Sequence, residues 1–447
     1  MATPATTFEF VVSDPLTNLK PGKSLQIRRH CMQGRGEKVS LAPVSDVIKP
    51  IASFGALSPE SLMGDLALIS FAGPGIDPST RTILFRAFAY SFANQAMSPL
   101  DRFVDFDCLD PSSFESFLSD EAFLHSMMCA SFAINDFQTT KWNGRPGPKT
   151  LFHLRNVLSL LREKLRDENV HQDDSVLQVV LNLALLAGAF GEWPAAGTHF
   201  KGLHKIIKLR GHLEFLRDKP KLHFKLDRID LARSLATGNR ALFLDPAVSW
   251  DPIIPAPNVT LPQDLYKPPS GWQPRLVHIF RDFQYLCLGI NNDALERLPH
   301  NATYLQSILT SLQSRLLHLG GLPVDPPVER LVRLTMLCFL TTTSKVAGRK
   351  LPYDWVLRQL DDAYAMAADR FEKEDICLRV WVLITIAFTV AGVEKEWFKE
   401  AWGKIQSEVD QDWASVKKYL MRVMWIEAIH DGPGEAVWRD LERTISS

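Results

Sequence analysis

Cysteine thiolates are the most versatile ligands and nucleophiles a chain can offer, so their spacing comes first. The six lie at Cys31, Cys108, Cys129, Cys287, Cys338 and Cys377, separated by 77, 21, 158, 51 and 39 residues, with no Cys-x-x-Cys pair. A structural zinc site needs thiolates or imidazoles delivered to one tetrahedron by short local spacings. Cysteines dispersed like these read as reduced core residues, and neither a metal nor a cofactor is expected.

Carboxylates come next. Asp105-Phe-Asp107-Cys-Leu-Asp110 has the density of the aspartate-rich helices that hold diphosphate through magnesium. It stands just before Pro111, in a predicted loop, and Asn292-Asp293-Ala-Leu-Glu296 lacks the Ser and distal Glu of a second motif. The chain has no G-x-S-x-G, no G-x-x-x-x-G-K-[ST], no H-E-x-x-H and no G-x-G-x-x-G. No catalytic residue is assigned. Asp230, on a helix among apolar neighbours, is expected to pair with an arginine or to cap the neighbouring Gly211 turn.

Basic residues concentrate in two places. Lys201, His204, Lys205 and Lys208 fall at i, i+3, i+4 and i+7, opposite the apolar stripe of Phe200, Leu203 and Ile207. Such a face suits a phosphate or an acidic partner, or simply solvent. Gly202 lies mid-helix, where the loss of a side chain costs about 1 kcal/mol and marks close helix packing. The second group is Lys20, Lys23, Arg28, Arg29, Arg35 and Lys38, opposed only by Glu37. It is the one segment suited to independent nucleic-acid contact or nuclear import.

Charge limits the partners. The 447 residues carry 50 Lys+Arg against 51 Asp+Glu, a formal net charge of −1. A body that held DNA by itself would carry a marked basic excess, because phosphate neutralisation supplies most of the affinity. A hydrophobic share of 46% supports a large core. The start has neither a basic n-region nor an apolar h-region, and the longest apolar runs fall short of the roughly 18 residues of a spanning helix. The expectation is a soluble, intracellular protein with no membrane partner.

The elements that must carry these residues are helical throughout. Ser58-Pro59 and Asp77-Pro78 are helix starts. Further helices are predicted over 114–137, 151–165, 176–190, 195–209 and 222–237, with Gly211 and Gly238 at C′ positions. Leu151, Leu154, Leu158, Leu161 and Leu165 mark one apolar stripe, and Val176 to Phe190, apolar nearly all round, is expected to be the most buried helix. Eight prolines between 246 and 274 predict a linker or crossover loop. Helices near 275–289, 301–318, 326–347, 353–373, 376–392, 395–409, 412–430 and 434–445 follow. Nothing alternates with period two, so the fold is all-α: an irregular multi-helix array. Four segments result: a basic N-terminal piece with linker (1–57), a helical domain (58–245), the proline-rich stretch (246–274) and a C-terminal helical part (275–447). Trp397, Trp402, Trp413, Trp425 and Trp438 crowd the end of the chain, as core or as the wall of a pocket or dimer surface.

One ordered set of motifs is more specific. A buried helix is followed by Gly191-Glu-Trp-x-x-Ala-x-x-His199, Gly202-Leu203, Leu209-Arg210-Gly211, Asp230 and Ala236-Thr237-Gly238-x-Arg240. In this order they resemble the regulatory region of fungal-specific transcription factors, found in many zinc-cluster regulators. Asp120-Glu-Ala-Phe-Leu-His125, the Leu151–Leu165 helix, Phe10-Val-Val-x-Asp-Pro15 and Ile27-Arg-Arg-His30-x-Met32 are also similar. The resemblance covers about 110–250 well and the C-terminal part only generically. It marks His199, Gly202, Arg210, Gly211, Asp230, Thr237, Gly238 and Arg240 as signature residues. It implies a transcription-regulator-like protein in the nucleus, the cytoplasm being the alternative. Such a protein would act through other regulators, through homo-association or through a small effector. Those regulators read DNA with a compact six-cysteine, two-zinc cluster that these cysteines do not form, so DNA contact would be indirect or weak, through 20–38. The alternative from a different class is an all-α enzyme or metabolite-binding protein with a helical pocket.

Overall fold

The computed structural model describes residue 100 and residues 119–138, 144–217, 219–243, 248–254, 262–292, 302–321, 326–343, 353–409 and 412–445. The basic segment 20–38, the helix starts at Ser58 and Asp77 and the Asp105–Asp110 run lie outside them. Chain contacts divide the molecule at Ile69 and Ser70, and every described residue belongs to Ser70–Ser447.

Among the described residues there are thirteen α-helices and no strand. In chain order they are α1 Glu121–Gln138, α2 Pro148–Lys164, α3 Asp174–Ala189, α4 Trp193–Leu209, α5 Pro220–Thr237, α6 Pro274–Asn291, α7 Ala302–Leu319, α8 Pro327–Thr341, α9 Asp354–Phe371, α10 Ile376–Ile386, α11 Glu396–Ile405, α12 Trp413–Val423 and α13 Glu427–Ile445. The array is all-α. None of these helices is long and apolar enough to cross a membrane.

Local chemistry sets many of the starts. Asp120 Oδ1 accepts from Phe123 N at 3.0 Å, which fixes the beginning of α1. Asp173, Asp375 and Asp412 cap α3, α10 and α12 in the same way. Prolines open α2, α5, α6 and α8, where a missing N–H is no loss.

α1 packs against α2 and α3, α3 against α4, and both α3 and α4 against α5. α5 then meets α7, α8 and α9, so it joins the N-terminal helices to the C-terminal ones. α10 is the axis of the remainder, touching α8, α11, α12 and α13. One apolar cluster runs from Leu100 to Leu441, with Trp381, Phe280, Phe283 and Phe339 at its centre. Each such side chain removed from water contributes roughly 1.5–3 kcal/mol before entropy is counted.

Several expectations change. α3 buries eleven of its sixteen residues, but α10 buries ten of eleven, so α10 is the more enclosed helix. On α2 the core-facing positions are Thr150, His153, Val157 and Leu161; Leu151, Leu154, Leu158 and Leu165 are half-buried. The buried face is turned because Asp136 accepts from Thr150 Oγ1 at 2.6 Å and His153 stacks on Phe132. The single helix expected over 412–430 is broken at Met424–Ile426. There Asn291 Nδ2 donates to Trp425 O, Asn291 Oδ1 accepts from Glu427 N, and His430 Nδ1 accepts from Ile426 N. α13 therefore starts at Glu427 and runs through Pro433.

The described parts of the proline-rich stretch lie on the core. Ile254, Tyr266 and Trp272 are buried in the main cluster. Trp402, Trp425 and Trp438 are buried too, Trp397 and Trp413 half-buried, and the indole N–H groups of Trp397 and Trp425 are donated to Asp361 and Asp431. The terminal tryptophans are core.

Candidate functional site

The signature residues fall on α4, the turn after it, α5 and the loop after α5. α4 presents Ala196, Phe200, Gly202, Leu203, Ile206 and Ile207 inward. Gly211 follows it at φ +100°, a left-handed C′ position that a side chain would strain. Arg210 is structural: Nε donates to His171 O and Nη1 to Asp174, while its guanidinium lies 4.8 Å over the Phe215 ring. It fastens the end of α4 to the start of α3. His199 is half-buried on α4, its Nδ1 has no hydrogen-bond partner among the described residues, and burial pushes its pKa down to about 4.

Asp230 pairs with an arginine, as its setting requires, and the cap it provides belongs to a different turn. Its Oδ1 accepts from Arg233 Nη2 at 3.0 Å. Its Oδ2 accepts from the backbone N–H groups of Leu242 and Phe243 at 2.6 and 2.9 Å. The Gly211 turn, the other candidate, is not its partner: Asp230 organises the loop that leaves α5. Burial raises its pKa, opposed by Arg233 and these N–H groups. Thr237 Oγ1 donates to Arg233 O and accepts from Asn239 N. Gly238 ends α5 at φ +75°, with the Trp355 indole packed where a Cβ would stand.

These elements enclose a surface groove of about 400 Å³ between the first turns of α4 and the end of α5. Trp193, Gly197, Thr198 and Lys201 line one side; Arg233, Asn239, Arg240 and Leu242 line the other. Among the described residues the lining holds three cations and no carboxylate. Arg233 is fixed: Nη2 donates to Asp230 and to Arg240 O, and the guanidinium sits 5.6 Å over Phe200. Its Nε, and Trp193 Nε1, are buried donors with no partner among the described residues. Lys201 and Arg240 are exposed at the rim. Of the basic face, Lys201 alone lines the groove, and Lys208 lies exposed further along α4.

A second, smaller cavity of about 190 Å³ lies between the turn at His212–Leu216, α5 and α7. His223 lines it, with Nε2 3.6 Å from Asp227 Oδ1. Asp227 is buried and held by Gln306 Nε2 at 2.8 Å and Thr310 Oγ1 at 2.5 Å. Ser307 and Thr303 complete the wall.

The four described cysteines, Cys129, Cys287, Cys338 and Cys377, are buried, and burial raises the pKa of each. Among the described residues no group of three or more His, Cys, Asp or Glu is placed to hold a metal. Sequence reasoning marked Arg240 and Lys201 but passed over Arg233 and Asn239. The i, i+3 spacing of Asp230 and Arg233 was the available signal. Comparison with protein-family models, curated proteins and solved structures gives no significant match for this chain.

Proposed function

We propose that this chain is the helical regulatory body of a fungal-type transcription regulator. It acts in the nucleus through other regulators, a second copy of itself or a small effector, and contacts DNA through partners. The observation that carries this reading is that residues scattered over 191–240 form one module. Arg210 and Gly211 anchor α4, Asp230 and Arg233 set the loop after α5, and Gly238 seats α5 on Trp355. Arg240 then stands on a groove whose lining offers cations, an amide and a hydroxyl, groups suited to holding a ligand.

The test is chromatin occupancy and transcript profiling of the tagged chain, with and without residues 1–40. Nuclear accumulation, partner-dependent occupancy and altered transcripts on deletion are the expected results. Exclusion from the nucleus together with unchanged transcripts rejects the reading.

One observation favours the alternative of an enzyme or metabolite-binding protein. His223 lines a cavity with its Nε2 3.6 Å from the buried, twice hydrogen-bonded Asp227, an imidazole beside a carboxylate at ion-pair distance. Turnover or retention of a metabolite that is lost in His223→Gln at unchanged thermal stability would establish it. Equal behaviour of variant and parent removes it.

A further inference from the structure

The geometry points to the groove between α4 and α5 as a receptor site for a small organic oxyanion, a phosphate ester or carboxylate carrying a flat apolar part. The inference rests on the regulatory reading above for its purpose, though not for its chemistry.

Three observations converge. The first is charge: Lys201, Arg233 and Arg240 line the groove, and no carboxylate shares the lining among the described residues. Asp230, which pairs with Arg233, is spent on its Nη2 and on two backbone N–H groups. The second is unmet donor capacity. Arg233 is nine-tenths buried, yet among the described residues its Nε has no acceptor, and neither has Trp193 Nε1 on the opposite wall. Buried donors are nearly always paired in folded proteins, so two in the walls of one groove are donor capacity that a ligand's oxygens would satisfy once the wall opens to them. The third is rigidity. Asp230, Arg240 O and the Phe200 ring fix the Arg233 side chain before any ligand arrives, which lowers the entropy cost of binding.

The shape decides the rest of the ligand class. A volume of about 400 Å³ suits a metabolite and not a macromolecular chain. The first turn of α4 faces the groove through Trp193 and Gly197, so the positive end of that helix reinforces the cations. Trp193 supplies an aromatic surface for a flat partner, and Gly197 leaves the wall open, with nothing within 4 Å of a Cβ placed there. Lys201 and Arg240, at the rim, are free to close over the anionic group.

Calorimetric titration of the full chain at low ionic strength tests this with adenosine 5′-monophosphate, benzoate, inorganic phosphate and uncharged adenosine. The flat oxyanions, one or both, should bind, more tightly than inorganic phosphate, while adenosine should not. Binding by the monophosphate alone, or by benzoate alone, identifies the anionic group. The double variant Lys201→Glu/Arg240→Glu changes only exposed side chains and should weaken binding about tenfold or more, as should added salt. No binding of either flat oxyanion overturns the proposal. So does affinity unchanged in the double variant, or equal affinity for inorganic phosphate and the ester. Absent binding with transcripts still altered on deletion rejects the receptor and leaves the regulator. Salt-sensitive binding by a protein excluded from the nucleus does the reverse.

Discussion

Asp282 on α6 and Arg315 on α7 meet at 2.6 Å, and neither side chain is exposed at all. The carboxylate also accepts from the N–H groups of Ile253 and Ile254 at 3.1 and 3.2 Å. The guanidinium donates to Asp251 O at 3.3 Å. A pair so enclosed is tolerable only because its remaining lone pairs and protons are satisfied. Here the groups that satisfy them belong to the proline-rich crossover, which is thereby pinned to the core.

Removing one member of that pair leaves the other charge buried. Arg315→Met should lower stability by about 3–5 kcal/mol. Urea unfolding of Arg315→Met, Asp282→Asn and the double variant checks it. The double variant should lose clearly less than the two single losses added together. Strict additivity would show that the two groups do not depend on each other.

His199 makes the fold sensitive to acid. Its pKa is about 4 in the folded chain against 6.5 when solvated, so the unfolded state binds the extra proton first. The neutral imidazole's contribution is complete above pH 6.5, declines as pH falls from about 6.5 to about 4, and is exhausted below. The loss amounts to about 3 kcal/mol. His125, whose Nδ1 meets His153 Nδ1 at 2.8 Å, is also lowered by burial and acts in the same direction. His199→Gln should flatten the decline over that window relative to the parent, measured as the midpoint of urea unfolding against pH.

The two left-handed glycines should differ. At Gly211 (φ +100°) a Cβ meets nothing within 4 Å, so Gly211→Ala should cost only the backbone strain, roughly 1–2 kcal/mol. At Gly238 (φ +75°) the Cβ would stand 2.5 Å from Trp355 Nε1 and also force the indole to move. Thermal unfolding should place Gly238→Ala below Gly211→Ala. Equal losses would mean that the contact of α5 with α9 is slack.

His430 holds the break before α13. Its Nδ1 accepts from Ile426 N, its Nε2 meets Thr342 Oγ1 at 2.7 Å, and Phe339 and Trp425 enclose the ring. His430→Ala leaves a buried N–H unpaired and opens a cavity, which should cost about 3 kcal/mol or more. Hydrogen exchange should show faster exchange of the Ile426 amide in that variant. An unchanged rate would mean that the break is held by Asn291 alone.

What the sequence made legible was whatever rests on neighbours along the chain. Helix periodicity located α4 and α5 to within two residues, and Gly211 and Gly238 were legible because a C′ glycine has a backbone reason of its own. The twist of α2 was not, because Asp136 and Phe132 on α1 decide which face turns inward. Nor was the break at Met424–Ile426, which depends on Asn291, more than 130 residues earlier in the chain. The groove was half legible. Arg240 and Lys201 lie in recognisable runs, whereas Arg233 gains its meaning only when Asp230, Phe200 and the Arg240 carbonyl are gathered around it.

α5 is a rod of eighteen residues, roughly 27 Å long at 1.5 Å per residue. Midway along it, Asp227 faces α7; one residue on, Arg228 Nη1 donates to Thr343 beyond α8; toward its end stand Arg233 and Gly238. A stiff strut cannot tilt at one end alone. Arg233 and Asp227 therefore ride on one rigid helix, and the two hollows described above share it as a wall.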